Sequence, residues 1–184
     1  MNKTFHMILL SLFIAQSLAL YIIEGMLPIP FIAPGAKLGL SNLITLIALY
    51  TLPRKRDVFL ILFVRVLLSS LFGGGPNALL YSAAGAALSF LAMIAVKTIG
   101  RDHVSIIGVS TAGAMFHNLG QVLAASIIVQ NSMIMLYLPV LSLAGIGTGL
   151  FIGVAANFII GHIKKLPLFK KIKQTAPHLL STNN

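Results

Sequence analysis

The chain has no cysteine, and only three of its 184 residues are acidic. The first absence excludes disulfides, thiol catalysis and any cysteine-ligated metal or iron–sulfur site, while leaving the compartment open. The second leaves only Glu24, Asp57 and Asp102 for acid–base or metal chemistry, and with five histidines they form no strong metal-binding spacing. No serine–histidine–acid set and no nucleotide-binding loop is evident. Charge of either sign is scarce: Asp, Glu, Lys and Arg make up 9% of the residues, against 58% that are hydrophobic. With a mean hydropathy of +0.98, that balance excludes an ordinary soluble globule.

What is present is a series of apolar runs near the length needed to cross a hydrocarbon layer roughly 30 Å thick. Helices are the natural spanning element because they satisfy their own backbone hydrogen bonds, and the alternating pattern of a barrel is not seen. Six segments stand out: Phe5–Met26, Leu38–Leu52, Val58–Phe72, Asn77–Val96, Val104–Val129 and Leu138–His162. The second and third are short for a span, so they are tilted, extended by their flanks or buried among the others. The opening residues have the charged start of a signal peptide, and "SLA" at Ser17–Ala19 is a small-residue cleavage pattern. The apolar run continues through Ile23, which favours an uncleaved first helix. The expected architecture is an all-α, six-helix transmembrane bundle over residues 1–162 with a basic cytoplasmic tail over 163–184.

The net charge of +10 reads as membrane topology rather than nucleic-acid binding, because of where the charges fall. With a cytoplasmic N-terminus, the inner side collects Lys3, Arg54, Lys55, Arg56, Lys97, Arg101 and the five lysines from Lys164 to Lys173. That is eleven of the thirteen basic residues, with Arg65 inside a helix and Lys37 on the outer side. Both termini are therefore expected inside, with the tail held by anionic lipid. Gly145, Gly149 and Gly153, together with "SAAGAA" at Ser82–Ala87, form smooth stripes suited to close helix packing. Ala15 and Ala19 make a similar pair.

Polar groups in a membrane are candidate functional sites. Arg65 falls about 12 Å into its helix, counted from Asp57. His117 and Gln121 share a helix face with Asn118 one residue around; the three either line a pocket or bond helices together. Glu24, Lys37, Asn42, Asn77 and Tyr81 fall in the same outer half, which suggests a binding site open to that side. Lys37 and Arg65 suit an anionic or carboxylate-bearing ligand. The connector "GGGPN", Gly73–Asn77, is a tight turn or an anion-approachable hinge. The prolines of "EGMLPIPFIAPGAKLGLSN", Glu24–Asn42, disfavour helix and mark an extended connector at the outer mouth, a candidate gate or ligand clamp.

Three stretches carry a resemblance: "EGMLPIPFIAPGAKLGLSNLITL", the intramembrane Arg65, and "GVSTAGAMFHNLGQVLAA" at Gly108–Ala125. They resemble the Gx transporter family, often labelled heptaprenyl diphosphate synthase component I, from about Ile14 to Gly161. That family is similar to the S components of energy-coupling factor transporters, six-helix proteins that capture vitamins or related nutrients. The resemblance implies a bacterial cell-membrane location, a coupling transmembrane subunit and a pair of ATPases as partners, and no directly bound cofactor, ATP being used by the partners. It also implies a docking role for Ala15 and Ala19, which match the alanine-xxx-alanine spacing of the S-component first helix. Asp57 and Asp102 cannot form the aspartate-rich motifs by which prenyl synthases hold magnesium, so the synthase label implies a noncatalytic partner at most. The rival expectation is a membrane accessory protein in isoprenoid or quinone metabolism, or in flavin-linked extracellular electron transfer.

Overall fold

A computed structural model describes residues 3–26, 39–71 and 75–165. These residues form six α-helices and no strand: α1 (Lys3–Met26), α2 (Asn42–Thr51), α3 (Lys55–Leu71), α4 (Gly75–Gly100), α5 (Ile106–Val129) and α6 (Leu138–Lys165). Short 3-10 turns at Arg101–His103 and Ser132–Tyr137 precede α5 and α6. Local chemistry sets several boundaries. Leu52 is extended (φ −90°, ψ 138°) because Pro53 follows it, and α2 ends there. Ser105 is also extended, and its hydroxyl accepts from the Gly108 N–H to cap α5. The left-handed Gln130 (φ 53°) closes the other end of that helix.

Four stretches are long and apolar enough to cross a membrane: Lys3–Met26, Leu79–Gly100, Ile106–Val129 and Ser132–Ile163. The two short segments resolve differently. With ten residues, α2 rises about 15 Å, half of a hydrocarbon layer, and Thr45, Leu46 and Ala48 have no exposed surface at all. It is a helix buried among the others, where the backbone of so short an element is shielded from lipid. The seventeen residues of α3 begin with Lys55, Arg56 and Asp57 and rise about 26 Å. Large apolar side chains such as Ile8, Leu12, Phe59, Phe63, Phe151 and Phe158 face outward, as expected of a surface solvated by lipid.

The tightest packing joins α4, α5 and α6 in an antiparallel row. Glycines make it tight. A Cβ on Gly149 would lie 2.6 Å from Thr111 Cα and one on Gly153 2.7 Å from Ile107 Cα, while one on Gly120 would lie 2.6 Å from the Ala84 carbonyl oxygen. The glycine stripe of α6 is thus filled by the α5 backbone, as small-residue crossings in membranes require. At one end of the bundle, His6 Nε2 meets Asp57 Oδ1 at 3.4 Å, joining the starts of α1 and α3. At the same end, Lys97 Nζ donates to the Leu49 carbonyl at 2.8 Å and sits 4.2 Å above the Tyr50 ring, with Lys55 and Lys164 as electrostatic neighbours.

Candidate functional site

The opposite end is organised around the chain entering α2. Gly39 adopts φ +84°, a left-handed conformation that a side chain disfavours. The Asn42 N–H then returns to the Gly39 carbonyl at 2.8 Å and the Leu43 N–H to the Leu40 carbonyl at 3.0 Å. This turn is clamped from α1, whose buried stripe is Leu10, Phe13, Ser17, Tyr21 and Glu24, the three-and-four spacing of one helix face. Two polar members of that stripe reach the turn. Glu24 Oε1 accepts from the Gly39 N–H at 2.6 Å and Oε2 from the Leu40 N–H at 3.1 Å. Ser17 Oγ donates to the Ser41 carbonyl at 3.4 Å. Glu24 is only 4% exposed, so these charge-assisted bonds act in a low dielectric.

Arg65 approaches the same turn from α3. It is 1% exposed, the largest fully buried side chain among the described residues. Its Nη1 donates to Ser41 Oγ, with Glu24 and Tyr21 as electrostatic neighbours. The other two guanidinium nitrogens, Nε and Nη2, are buried with no hydrogen-bond partner. An ionised group under such conditions is costly unless further partners satisfy it.

From α5, buried His117 comes against this turn. A Cβ on Gly39 would lie 2.8 Å from Asn42 Nδ2 and 3.4 Å from His117 Cδ2, so the glycine is where the two side chains close on the backbone. The Gly85 backbone of α4 is a hydrogen-bonding neighbour of the His117 ring, and Arg65 an electrostatic one. His117 Nδ1 and both polar atoms of the Asn42 side chain are buried without partners. The result is five unpartnered polar atoms on Asn42, Arg65 and His117, contributed by α2, α3 and α5.

The remaining expected residues fall elsewhere. Asn118 Nδ2 donates to the Leu141 carbonyl at 2.5 Å, which makes it a bond between α5 and α6. Gln121 is buried with its Cγ against Gly85, at the α4–α5 crossing. Asn77 is exposed and Tyr81 half-buried on α4, and no hydrogen bond among the described residues ties either to the cluster. Lys37, the proline-rich connector, and Gly73 and Gly74 of the glycine turn lie outside the described residues, as does the tail beyond Lys165. Ala15 and Ala19 are exposed on α1, away from its buried stripe. Sequence reasoning overlooked Ser17 and Ser41; the available signal was Ser17 lying seven residues from Glu24 on one helix face, and Ser41 adjoining Asn42 in "GLSN".

No curated protein and no solved structure matches the chain. The model of one family, described as heptaprenyl diphosphate synthase component I, matches residues 13–159. That range runs from the first half of α1 into the last turns of α6 and takes in Ser17, Glu24, Asn42, Arg65 and His117. With most of the helical bundle and the whole polar cluster inside the match, the chain belongs to the heptaprenyl diphosphate synthase component I family.

Proposed function

We propose that the chain is the substrate-binding membrane subunit of an energy-coupling factor uptake transporter, taking a small anionic, vitamin-like molecule. One observation carries the reading: a fully buried Arg65 with two unpartnered nitrogens beside the unpartnered polar atoms of Asn42 and His117. An arginine at the centre of a membrane helix costs about 2.5–3.5 kcal/mol on insertion scales, and each unsatisfied buried donor or acceptor costs about 1–3 kcal/mol more. A bound molecule that takes up those bonds offsets the cost, which a merely structural cluster does not explain. Asn42, Arg65 and His117 contact the substrate, Glu24 braces them, and Asn77 and Tyr81 lie toward its approach. Asn118 serves the bundle.

Cargo release falls to partners. Ala15 and Ala19, exposed on α1, offer a flat strip on which a coupling transmembrane subunit docks, and an ATPase pair supplies the energy. The gathering of Arg54, Lys55, Arg56, Lys97, Lys164 and Lys165 near one end supports an N-in, C-in orientation, with the polar cluster toward the outside. The family's own name favours a second reading: "component I" implies a partner component of a prenyl synthase, and the chain is then its noncatalytic membrane anchor.

Copurification separates the two. Recovery of a coupling subunit and ATPases from native membranes, with ATP-dependent uptake in liposomes, is the expected result; recovery of a soluble prenyl synthase alone replaces it with the second reading. Ala15→Trp and Ala19→Trp are expected to reduce coupling-subunit recovery at least tenfold while the variants remain membrane-inserted. Undiminished recovery rules out this docking face.

A further inference from the structure

We infer that the molecule held at this site presents a singly charged, planar carboxylate to the Nε–Nη2 edge of Arg65, next to an amide-like edge that is read by Asn42; this rests on the substrate-binding reading above. The first part follows from which nitrogens are already used. Ser41 takes Nη1, and Nε and Nη2 remain without partners. Those two carry parallel N–H bonds on one edge of the guanidinium, spaced to match the two oxygens of a carboxylate.

The edge is also held in place. Ser41 Oγ accepts from Arg65, the Ser41 carbonyl is bonded by Ser17, and the two preceding amides are bonded by Glu24. Arg65 is therefore fixed through a turn that is itself tied to α1, and its orientation exists before anything binds. Charge selects among oxyanions. Glu24 is an electrostatic neighbour of Arg65, so the site already holds one carboxylate beside the guanidinium. A carboxylate adds one negative charge to a low-dielectric site, whereas a phosphate monoester adds up to two, and the cost rises accordingly.

The second part follows from Asn42, the residue after Ser41. Its Oδ1 and Nδ2 are both buried and both unpartnered, so an acceptor and a donor stand side by side. A lactam, ureido or carboxamide edge offers the complementary pair, and a site with buried groups of this kind rejects a ligand that leaves them unpaired. Gly39 keeps this side chain in place from behind, since a Cβ there would lie 2.8 Å from Nδ2. His117 Nδ1 supplies a third polar atom. Asn42 is on this view the residue that separates one carboxylate from another, and Arg65 the residue that requires a carboxylate at all.

The test follows the melting of the purified full-length chain, and of its Arg65→Lys and Asn42→Ala variants, with orotate, benzoate, orotamide, benzamide and inorganic phosphate. In parallel, small molecules carried out of the membrane by the chain are treated with carbodiimide and aniline and fragmented in the mass spectrometer, which tells a carboxyl anilide from a phosphoramidate. The carboxylates are expected to stabilise and the amides not; orotate, which has an amide-like edge, is expected to half-saturate at least tenfold lower than benzoate. Arg65→Lys keeps the charge but loses the paired edge, and its response to orotate should weaken at least tenfold. Asn42→Ala should erase the preference for orotate while keeping a response to benzoate. Equal stabilisation by amides, stabilisation by phosphate alone, or a retained molecule without a taggable carboxylate overturns this inference and leaves the binding reading standing. No response to any probe, with nothing retained by the wild-type chain, overturns both, and the wild-type arms decide this even where a variant fails to fold.

Discussion

At the scale of single residues, Gly39 shows how backbone freedom and site geometry meet. Its φ of +84° costs an ordinary side chain about 1–2 kcal/mol, and an added Cβ would press on both Asn42 and His117. Gly39→Ala should therefore lower the melting temperature in detergent by about 2–8 °C, and an unchanged melting curve would refute the tight approach of these side chains. The sequence made Glu24, Asn42, Arg65, His117 and Gln121 conspicuous because charge and amide groups are rare in oily helices. It could not say which way each one faced. Asn118 bonds to α6 although its neighbour His117 turns toward α2, since a step of one residue rotates a helical side chain by about 100°. Ser17 and Ser41 were overlooked for a different reason: serine is common in membrane helices, and their places on the Glu24 face and beside Asn42 gain meaning only from the distance to Arg65 or to a carbonyl.

Among helices, the succession of apolar runs was enough to locate all six segments, and the observed helices differ from them mainly at the ends. The fate of α2 was not legible. Its composition is that of a span, but Pro53 and the glycine turn at Gly39 limit it to ten residues, and only the assembled bundle shows it enclosed. Glycine spacing, by contrast, was informative where partners were not. Gly149 and Gly153 abut the α5 backbone, whereas Gly147 and Gly161 have nothing within 4 Å of an added Cβ. Gly149→Ala and Gly153→Ala should force helices apart and lower the melting temperature. Gly147→Ala and Gly161→Ala should leave it unchanged or raise it, since alanine is favoured over glycine in a helix by roughly 0.5–1 kcal/mol. Equal effects at all four sites, read from thermal melting in detergent, would contradict the α5–α6 crossing.

For the whole molecule, the absence of cysteine makes orientation directly measurable. Arg101→Cys, in the connection between α4 and α5, is expected to react with a membrane-impermeant maleimide only in inside-out vesicles. Asn77→Cys, exposed at the start of α4, is expected to react only in right-side-out cells; the reverse pattern would invert the proposed topology. Between those two faces stands α2, and its ends are both fastened. One is clamped by Ser17, Glu24 and Arg65 through the Gly39–Ser41 turn, the other by Lys97 on the Leu49 carbonyl and the Tyr50 ring. A short helix is stiff along its axis, so it behaves as a push-rod about 15 Å long. A displacement of Ser41 has two mechanical outcomes: the rod moves and pulls on Lys97 at the basic end, or one of its fastenings gives way.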